Sequence, residues 1–525
     1  MNKTAFALII ILTLLPLVAA APQFIESTAA QNYVTITVKT DGSIEGTDKI
    51  QRDGDTYLFN GSITGSVVVE RDNLVIDGAG YALLAESTSG VGVDVRNRKN
   101  VTISNMVITG FLGRCGILLL SSTDCNIIRN QFNDNFIGIE MTGNSSRNKI
   151  AENFIQNCGV GMEIYSVRPG SDNTISENEV ANSSVGMQIK NFVNTSIVGN
   201  RIISNTFGLG LGVGSDSMAK NNMMINNTYG FRAFNVQAVN VDVDTSNTVN
   251  DKPIIYWVNE HDKTVPADVC YVALIGCTGI TVNNLDLGGN LEGIFLGSST
   301  NSTITNNRLS ECLFGINLAA SSNNMIRGNT ITGNENGIQL RWSSLNNTIR
   351  RNDITANTVM GVYLADSAEN KVLENNIANS DRGVYTEYCG TNIIHHNNFV
   401  NNTKQWWDVG FTPWPIPLTI SVSVWDDGKE GNYWNDYNGT DANGDGIGDS
   451  PNILGANNTD RYPLIKPAAI PEVPCDGETY QGSCSTTHFL ASMAAVVSVS
   501  LGLFVLFRKR KRSKCLNADA LMASR

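Results

Sequence analysis

Asn153-Phe-Ile-Gln-Asn-Cys-Gly-Val-Gly-Met-Glu-Ile164 and Asn178-Glu-Val-Ala-Asn-Ser-Ser-Val-Gly-Met-Gln-Ile189 are two copies of one unit. Each opens on an Asn and closes on Gly followed by an apolar-x-apolar triplet. Outward from these, the triplet recurs as Gly138-Ile-Glu-Met, Gly315-Ile-Asn-Leu and Gly337-Ile-Gln-Leu. Glycines at 92, 116, 138, 161, 186, 208 and 230, and again at 293, 315, 337, 361 and 383, step by 22 to 25 residues. The units hold short alternations and Asn/Gly/Ser turns, with no long run of 3.6 periodicity, which excludes helical repeats. A leucine-rich repeat would need a Leu-x-x-Leu-x-Leu signature, and a propeller blade about 40 residues. The fold expected is all-β: a right-handed parallel β-helix solenoid with about 22-residue coils.

An Asn stands eight residues before most of these glycines, at 130, 153, 178, 200, 222, 307, 329 and 375, with Asn352 nine before Gly361. Stacked at the strand spacing of about 4.8 Å, their amides would form a ladder that holds a tight turn, so they are read as structural. Between Gly230 and Tyr271 the period lapses, and the surplus chain predicts a protruding loop or hairpin around Lys252 to Asp268. After Asn401 an aromatic block follows, with Trp406, Trp407, Trp414, Trp425, Tyr433, Trp434 and Tyr437, suited to capping the last coil.

Both ends carry targeting signals. Lys3, the apolar run Ala5 to Leu17 and the small residues up to Ala21 predict a signal peptide. Phe489 to Phe507 has no charge and precedes Arg508-Lys-Arg-Lys-Arg512, which predicts one transmembrane helix with a cytoplasmic basic tail. The organisation expected is a signal over 1–21, an N-terminal cap over 22–72 and the β-helix over 73–400, with an insertion at about 234–270. A cap over 401–467, a stalk over 468–488, a span over 489–507 and a tail over 508–525 complete it. The protein is thereby expected at the cell membrane, its N-terminal region extracellular or periplasmic.

The tail holds seven basic residues against one acid and the signal one Lys, so the −12 of the whole chain becomes −19 for the ectodomain. Such a surface repels nucleic acid. The ten Cys show no zinc-type spacing; Cys475 and Cys484, in the stalk, are the expected disulfide. Asn-x-Ser/Thr triplets from Asn60 to Asn457 are compatible with glycosylation outside the cell.

The repeat, the insertion Asp244-Thr-Ser-Asn-Thr-Val-Asn-Asp-Lys-Pro-Ile-Ile-Tyr-Trp and the block Gly431-Asn-Tyr-Trp-Asn-Asp-Tyr together resemble the NosD-like family of periplasmic and archaeal surface proteins, over about residues 70 to 467. The resemblance implies a parallel β-helix, an exported location and a fold of the carbohydrate-binding or sugar-hydrolysis type. It also implies a link to copper, since the founding members are thought to assist copper-site maturation in nitrous oxide reductase. This chain supports copper poorly: its only histidines are His261, His395, His396 and His488, and adjacent residues 395 and 396 on a strand would point to opposite faces.

The outward residue of each triplet stacks into a row: Asp94, Leu118, Glu140, Glu163, Gln188, Gly210 and Arg232, then Ala273, Phe295, Asn317, Gln339, Tyr363 and Tyr385. Glu140 and Glu163 fall one strand spacing apart, near the roughly 5–5.5 Å carboxyl separation of retaining glycosidases, and are the candidate catalytic pair. Asp94, Gln188, Arg232, Asn317, Gln339, Tyr363 and Tyr385 are candidate ligand-binding residues, amides and aromatic faces of the kind that grip sugars. Asp441, Asn443, Asp445, Ile447 (by its carbonyl) and Asp449 space oxygens as in a calcium loop, with Asn452 where an EF-hand needs Glu; a structural Ca²⁺ is expected there. Three readings stay open: a surface protein that binds envelope or extracellular polysaccharide, a polysaccharide hydrolase or lyase using Glu140 and Glu163, and a structural spacer.

Overall fold

In the computed structural model, which describes residues 33–86, 90–165, 170–234, 237, 240–411, 420–455 and 457–471, the repeats stack as coils joined by parallel strand pairing. Each coil contributes one strand to a long front sheet and one to each of two shorter sheets. Ile137–Thr142, Val160–Tyr165 and Val185–Lys190 are consecutive front strands, in register with Ile139 beside Met162 and Met162 beside Met187. The alternation explains the packing: Met162 and Ile164 point into the core while Glu163 points out. Stacking starts earlier than residue 73, since Val34–Val38 already pairs in parallel with Ile63–Val69.

The Asn ladder forms, and it runs further than the sequence suggested. Asn153 Nδ2 donates to Asn178 Oδ1 at 2.9 Å and to Ile127 O at 2.8 Å, and the Asn153 backbone N–H donates to the same Asn178 oxygen at 3.1 Å. The run continues through Asn200 and Asn222 to Asn247, and a second run goes from Asn307 through Asn329, Asn352, Asn375 and Asn397 to Asn432. The residue before each ladder Asn is commonly left-handed, as at Glu152, Glu177 and Glu374. A buried amide that satisfies that turn therefore offsets a strained backbone.

The insertion is where structure and expectation part. Val249 and Lys252 pair antiparallel across a turn at Asn250 and Asp251, both with positive φ. Lys252–Val258 then becomes the first front strand of a second stack, parallel to Tyr271–Ile275. The surplus chain thus builds a buried joint, because Ile254, Ile255 and Tyr256 are too apolar to protrude.

Across this joint the last front strand of the first stack, Tyr229–Ala233, meets a corner and a side chain of the second. Gly230 N–H donates to Gly289 O at 2.8 Å, Phe231 N–H to Asn290 Oδ1 at 3.0 Å, and Ala233 N–H to Tyr271 Oη at 3.1 Å. The apolar interior of the first stack is continuous with Ile254, Tyr256, Tyr271, Ala273, Ile275, Phe295 and Ala319, while the second stack keeps a separate core. One stack's open end is therefore plugged by the outer face of the next, which removes exposed strand edges.

At the far end Trp434 stacks on Phe399, with ring centroids 4.4 Å apart and planes within 7°, and Trp406 packs edge-on to Trp425 at 5.5 Å. The aromatic block caps the last coil as expected. Among the described residues no helix is long and apolar enough to cross a membrane. The signal segment, Trp414, the Cys475–Cys484 pair, the 489–507 span and the tail lie outside the described residues. Cys115, Cys125, Cys158, Cys277, Cys312 and Cys389 are free thiols.

Candidate functional site

The outward row exists in the first stack, and Glu140 and Glu163 are register partners on it. The sequence did not reveal Arg114, which donates from Nε and an Nη to the two Glu140 oxygens at 2.8 Å each. Burial, then the neighbouring Glu140 charge, pushes the Glu163 carboxyl above its ordinary range. Asp94 is likewise held, by Arg96 at 2.6 Å. Gln188 lies beside Glu163, and Lys190 beside Tyr165.

In the second stack the row was expected at the surface, and this is corrected at the joint: Asn317 is 0 % exposed and Gln339 is 6 %. Burial there concentrates polar groups around Glu292, which the sequence reading passed over. Glu292 is fully buried, with Tyr271 Oη 3.4 Å from Oε2, Asn317 Nδ2 3.5 Å from Oε1 and Arg232 Nε 3.7 Å from Oε1. Burial raises its carboxyl to about 7, although Arg232 and Arg341 pull the other way. Desolvation outweighs two guanidiniums because neither makes a tight pair with it.

Five of the seven buried side-chain atoms without a hydrogen-bond partner among the described residues sit on three strands around this point: Arg232 Nε, Asn317 Oδ1, Asn336 Oδ1, Gln339 Oε1 and Arg341 Nε. Native proteins leave few such atoms, so their concentration marks a place built for something polar. Gln188 and Arg232 also line a cavity of about 160 Å³ on the first stack.

Beyond the joint the row returns to the surface as Tyr363, Tyr385 and Trp407, which are neighbours in register. The two tyrosine rings lie 5.2 Å apart, Tyr363 donates its hydroxyl to Glu387, and Arg382 and Lys404 approach the faces of Tyr385 and Trp407 at 5.4 and 5.7 Å. This is an aromatic strip studded with cations.

The calcium-type loop is exposed in the C-terminal cap. Asp441 Oδ1 accepts the amides of Gly444 and Asp445, Asp441 Oδ2 that of Gly446, and Asp449 Oδ2 that of Ala442. These bonds shape the loop while leaving carboxylate lone pairs over. Among the described residues no three of His, Cys, Asp or Glu converge to hold a metal ion.

A parallel solenoid with an Asn ladder and an aromatic cap defines the chain as a β-helix protein. Residues 89–249 match the right-handed β-helix region family, and residues 237–439 match the family described as periplasmic copper-binding protein (NosD). The chain is a right-handed parallel β-helix protein, and its second stack is similar to the NosD family. No curated protein matches it. Similar solved structures include an alginate lyase from a Paenibacillus species, 16% identical over 46% of this chain and 87% of that one, with a TM-score of 0.28. Another is the A-module of a mannuronan C-5 epimerase from Azotobacter vinelandii, 13% identical over 61% and 88%, with a TM-score of 0.28. A third is the DFA-IIIase of Arthrobacter chlorophenolicus, 14% identical over 64% and 81%, with a TM-score of 0.24.

The family's description raises copper, and the donor set can be tested for it. His395 ends a strand but His396 is left-handed, so the rings do not diverge as a continuous strand would require; they meet edge to face, Nδ1 to Nδ1 at 2.9 Å. His396 Nε2 lies 3.4 Å from Glu430. The two imidazoles turn their Nδ1 atoms to each other rather than toward a shared ion, and the acids near His396 stand at ion-pair distance from it, so this arrangement does not present a copper donor set and no chemistry is assigned to copper.

Proposed function

We propose that this chain is a membrane-anchored cell-surface protein that binds envelope or extracellular polysaccharide along the outward row, holding it without cutting it. The observation that carries the reading is the strip Tyr363, Tyr385 and Trp407, emerging from the polar joint at Gln339 and Arg341. Aromatic faces repeated at the strand spacing match the apolar faces of successive sugar rings, and flanking amides and cations supply hydrogen bonds to hydroxyls. Cutting would require a free acid and base, and Arg114 already occupies both oxygens of Glu140. Anchoring rests on the uncharged 489–507 segment and its basic flank. A calcium ion at Asp441, Asn443, Asp445, Ile447 and Asp449 belongs to the same reading, as a brace for the cap.

The test uses the full chain in detergent with a panel of immobilised polysaccharides, scored for retention and for new reducing or unsaturated ends. Retention without new ends is expected. New ends would replace this reading with an enzyme, and neither signal would leave a structural spacer.

A further inference from the structure

The cavity beside the joint has the chemistry of a specific subsite. Phe207 and Tyr229 form one wall, their rings stacked at 5.3 Å and 25°. Phe234 lines it too, with Lys190 Nζ 4.0 Å and the Arg232 guanidinium carbon 4.5 Å from the ring centroid. Burial and the Arg232 charge depress the Lys190 ammonium, a sign that two cations crowd a poorly solvated place. Arg232 belongs both to this cavity and to the buried cluster. Its Nε has no hydrogen-bond partner, and at 3.7 Å Glu292 does not supply one. Asn317, fully buried beside Glu292, also keeps its Oδ1 unpaired.

A guanidinium with unspent donors, a second cation and a stacked aromatic wall meet at this cavity, with Glu163 and Glu292 as the neighbouring acids. We infer that this cavity takes an acidic sugar unit, a uronate-type residue whose carboxylate meets Arg232 while its ring lies against Phe207 and Tyr229. Arginine's planar fork matches a carboxylate with two parallel charge-assisted bonds, whereas a neutral sugar's hydroxyls accept from it without balancing its charge. The volume of about 160 Å³ far exceeds the roughly 10–15 Å³ that one water needs. This inference rests on the polysaccharide-binding reading and narrows it to carboxylated polymers.

The test compares retention by the full chain of a polyuronate with that of the same polymer after chemical reduction of its carboxyls, at low and high salt. Wild type is expected to hold the acidic polymer at least roughly tenfold more tightly than the reduced one, with the difference shrinking in salt. Arg232→Ala is expected to lose that preference, Arg232→Lys to keep part of it, and Arg201→Ala, an exposed cation on another sheet, to behave as wild type. Equal retention of both polymers, or an Arg232→Ala protein that keeps the preference, overturns the acidic subsite while polysaccharide binding stands. Retention of neither polymer, nor of any neutral one, overturns both.

Discussion

Arg232, on the last front strand of the first stack, reaches to 3.7 Å of Glu292, on the third front strand of the second. Neither makes a close ion pair, and Glu292 pays the desolvation cost almost alone. A carboxyl raised to about 7 makes a definite statement about stability. Between its ordinary value near 4.5 and 7 the native state binds the extra proton, so stability falls as pH rises through that window. The loss amounts to on the order of 3 kcal/mol above pH 8. Denaturant unfolding from pH 5 to 8 should show this decline, and Glu292→Gln should flatten it and be the more stable protein at pH 8. A residual slope of the same sign is expected from Glu163, Asp286, Glu335, Asp353 and Asp460, which burial also raises. An unchanged slope in Glu292→Gln would place the proton elsewhere.

The ladder gives a second expectation. Asn178 accepts from Asn153 and donates to Ile150 O at 2.9 Å and Asn200 Oδ1 at 3.0 Å, all buried. Asn178→Ala removes the acceptor of two buried Asn153 donors and the amide that serves Ile150 O and Asn200 Oδ1, and should cost about 3 kcal/mol or more. Asn144→Ala, exposed in a neighbouring coil, should stay within about 0.5 kcal/mol of wild type. Equal thermal shifts for the two would remove the ladder's structural role.

How far these features were legible depends on whether they repeat. Asn153 and Asn178 announce themselves because every coil needs a group that satisfies the same turn, and Gly161 and Gly186 because every coil brings backbones together there, each with the next glycine's carbonyl oxygen where a Cβ would sit. Glu292 and Arg341 do not repeat. Their setting is made by a single antiparallel turn at Asn250 and Asp251, and nothing in the local sequence says that the first stack will end against the second's outer face. Arg114 was missed for a related reason: it lies before the triplet, in the turn, and only register brings it to Glu140. His396 was misread because its position before a ladder Asn, not the strand preceding it, sets its backbone.

The joint itself can be broken. Ala273 is fully buried on the outer face of the second stack, in one apolar cluster with Phe231 and Tyr271. A charge there is cut off from water and displaces apolar packing. Ala273→Glu should part the two stacks without unfolding either, seen as a larger radius of gyration in small-angle scattering and new cleavage near residues 234 to 252, while the β-sheet circular dichroism persists. A compact particle with wild-type scattering would mean that the joint tolerates the charge and is not held by this contact.

The aromatic strip offers the most direct check on binding. If sugars stack on Tyr385 and Trp407, Tyr385→Ala should weaken polysaccharide retention roughly tenfold, the scale of about 1–1.5 kcal/mol that an aromatic contact supplies. Tyr385→Phe should retain most of it, since the ring and not the hydroxyl does the stacking. Tyr363 differs, because its hydroxyl donates to Glu387 and fixes that carboxylate. Tyr363→Phe should therefore keep the stacking surface but release Glu387, and so alter which polymers are retained more than how tightly. Affinities for one polymer across these variants decide the matter: a Tyr385→Ala protein that binds as wild type would move the sugar path off this strip.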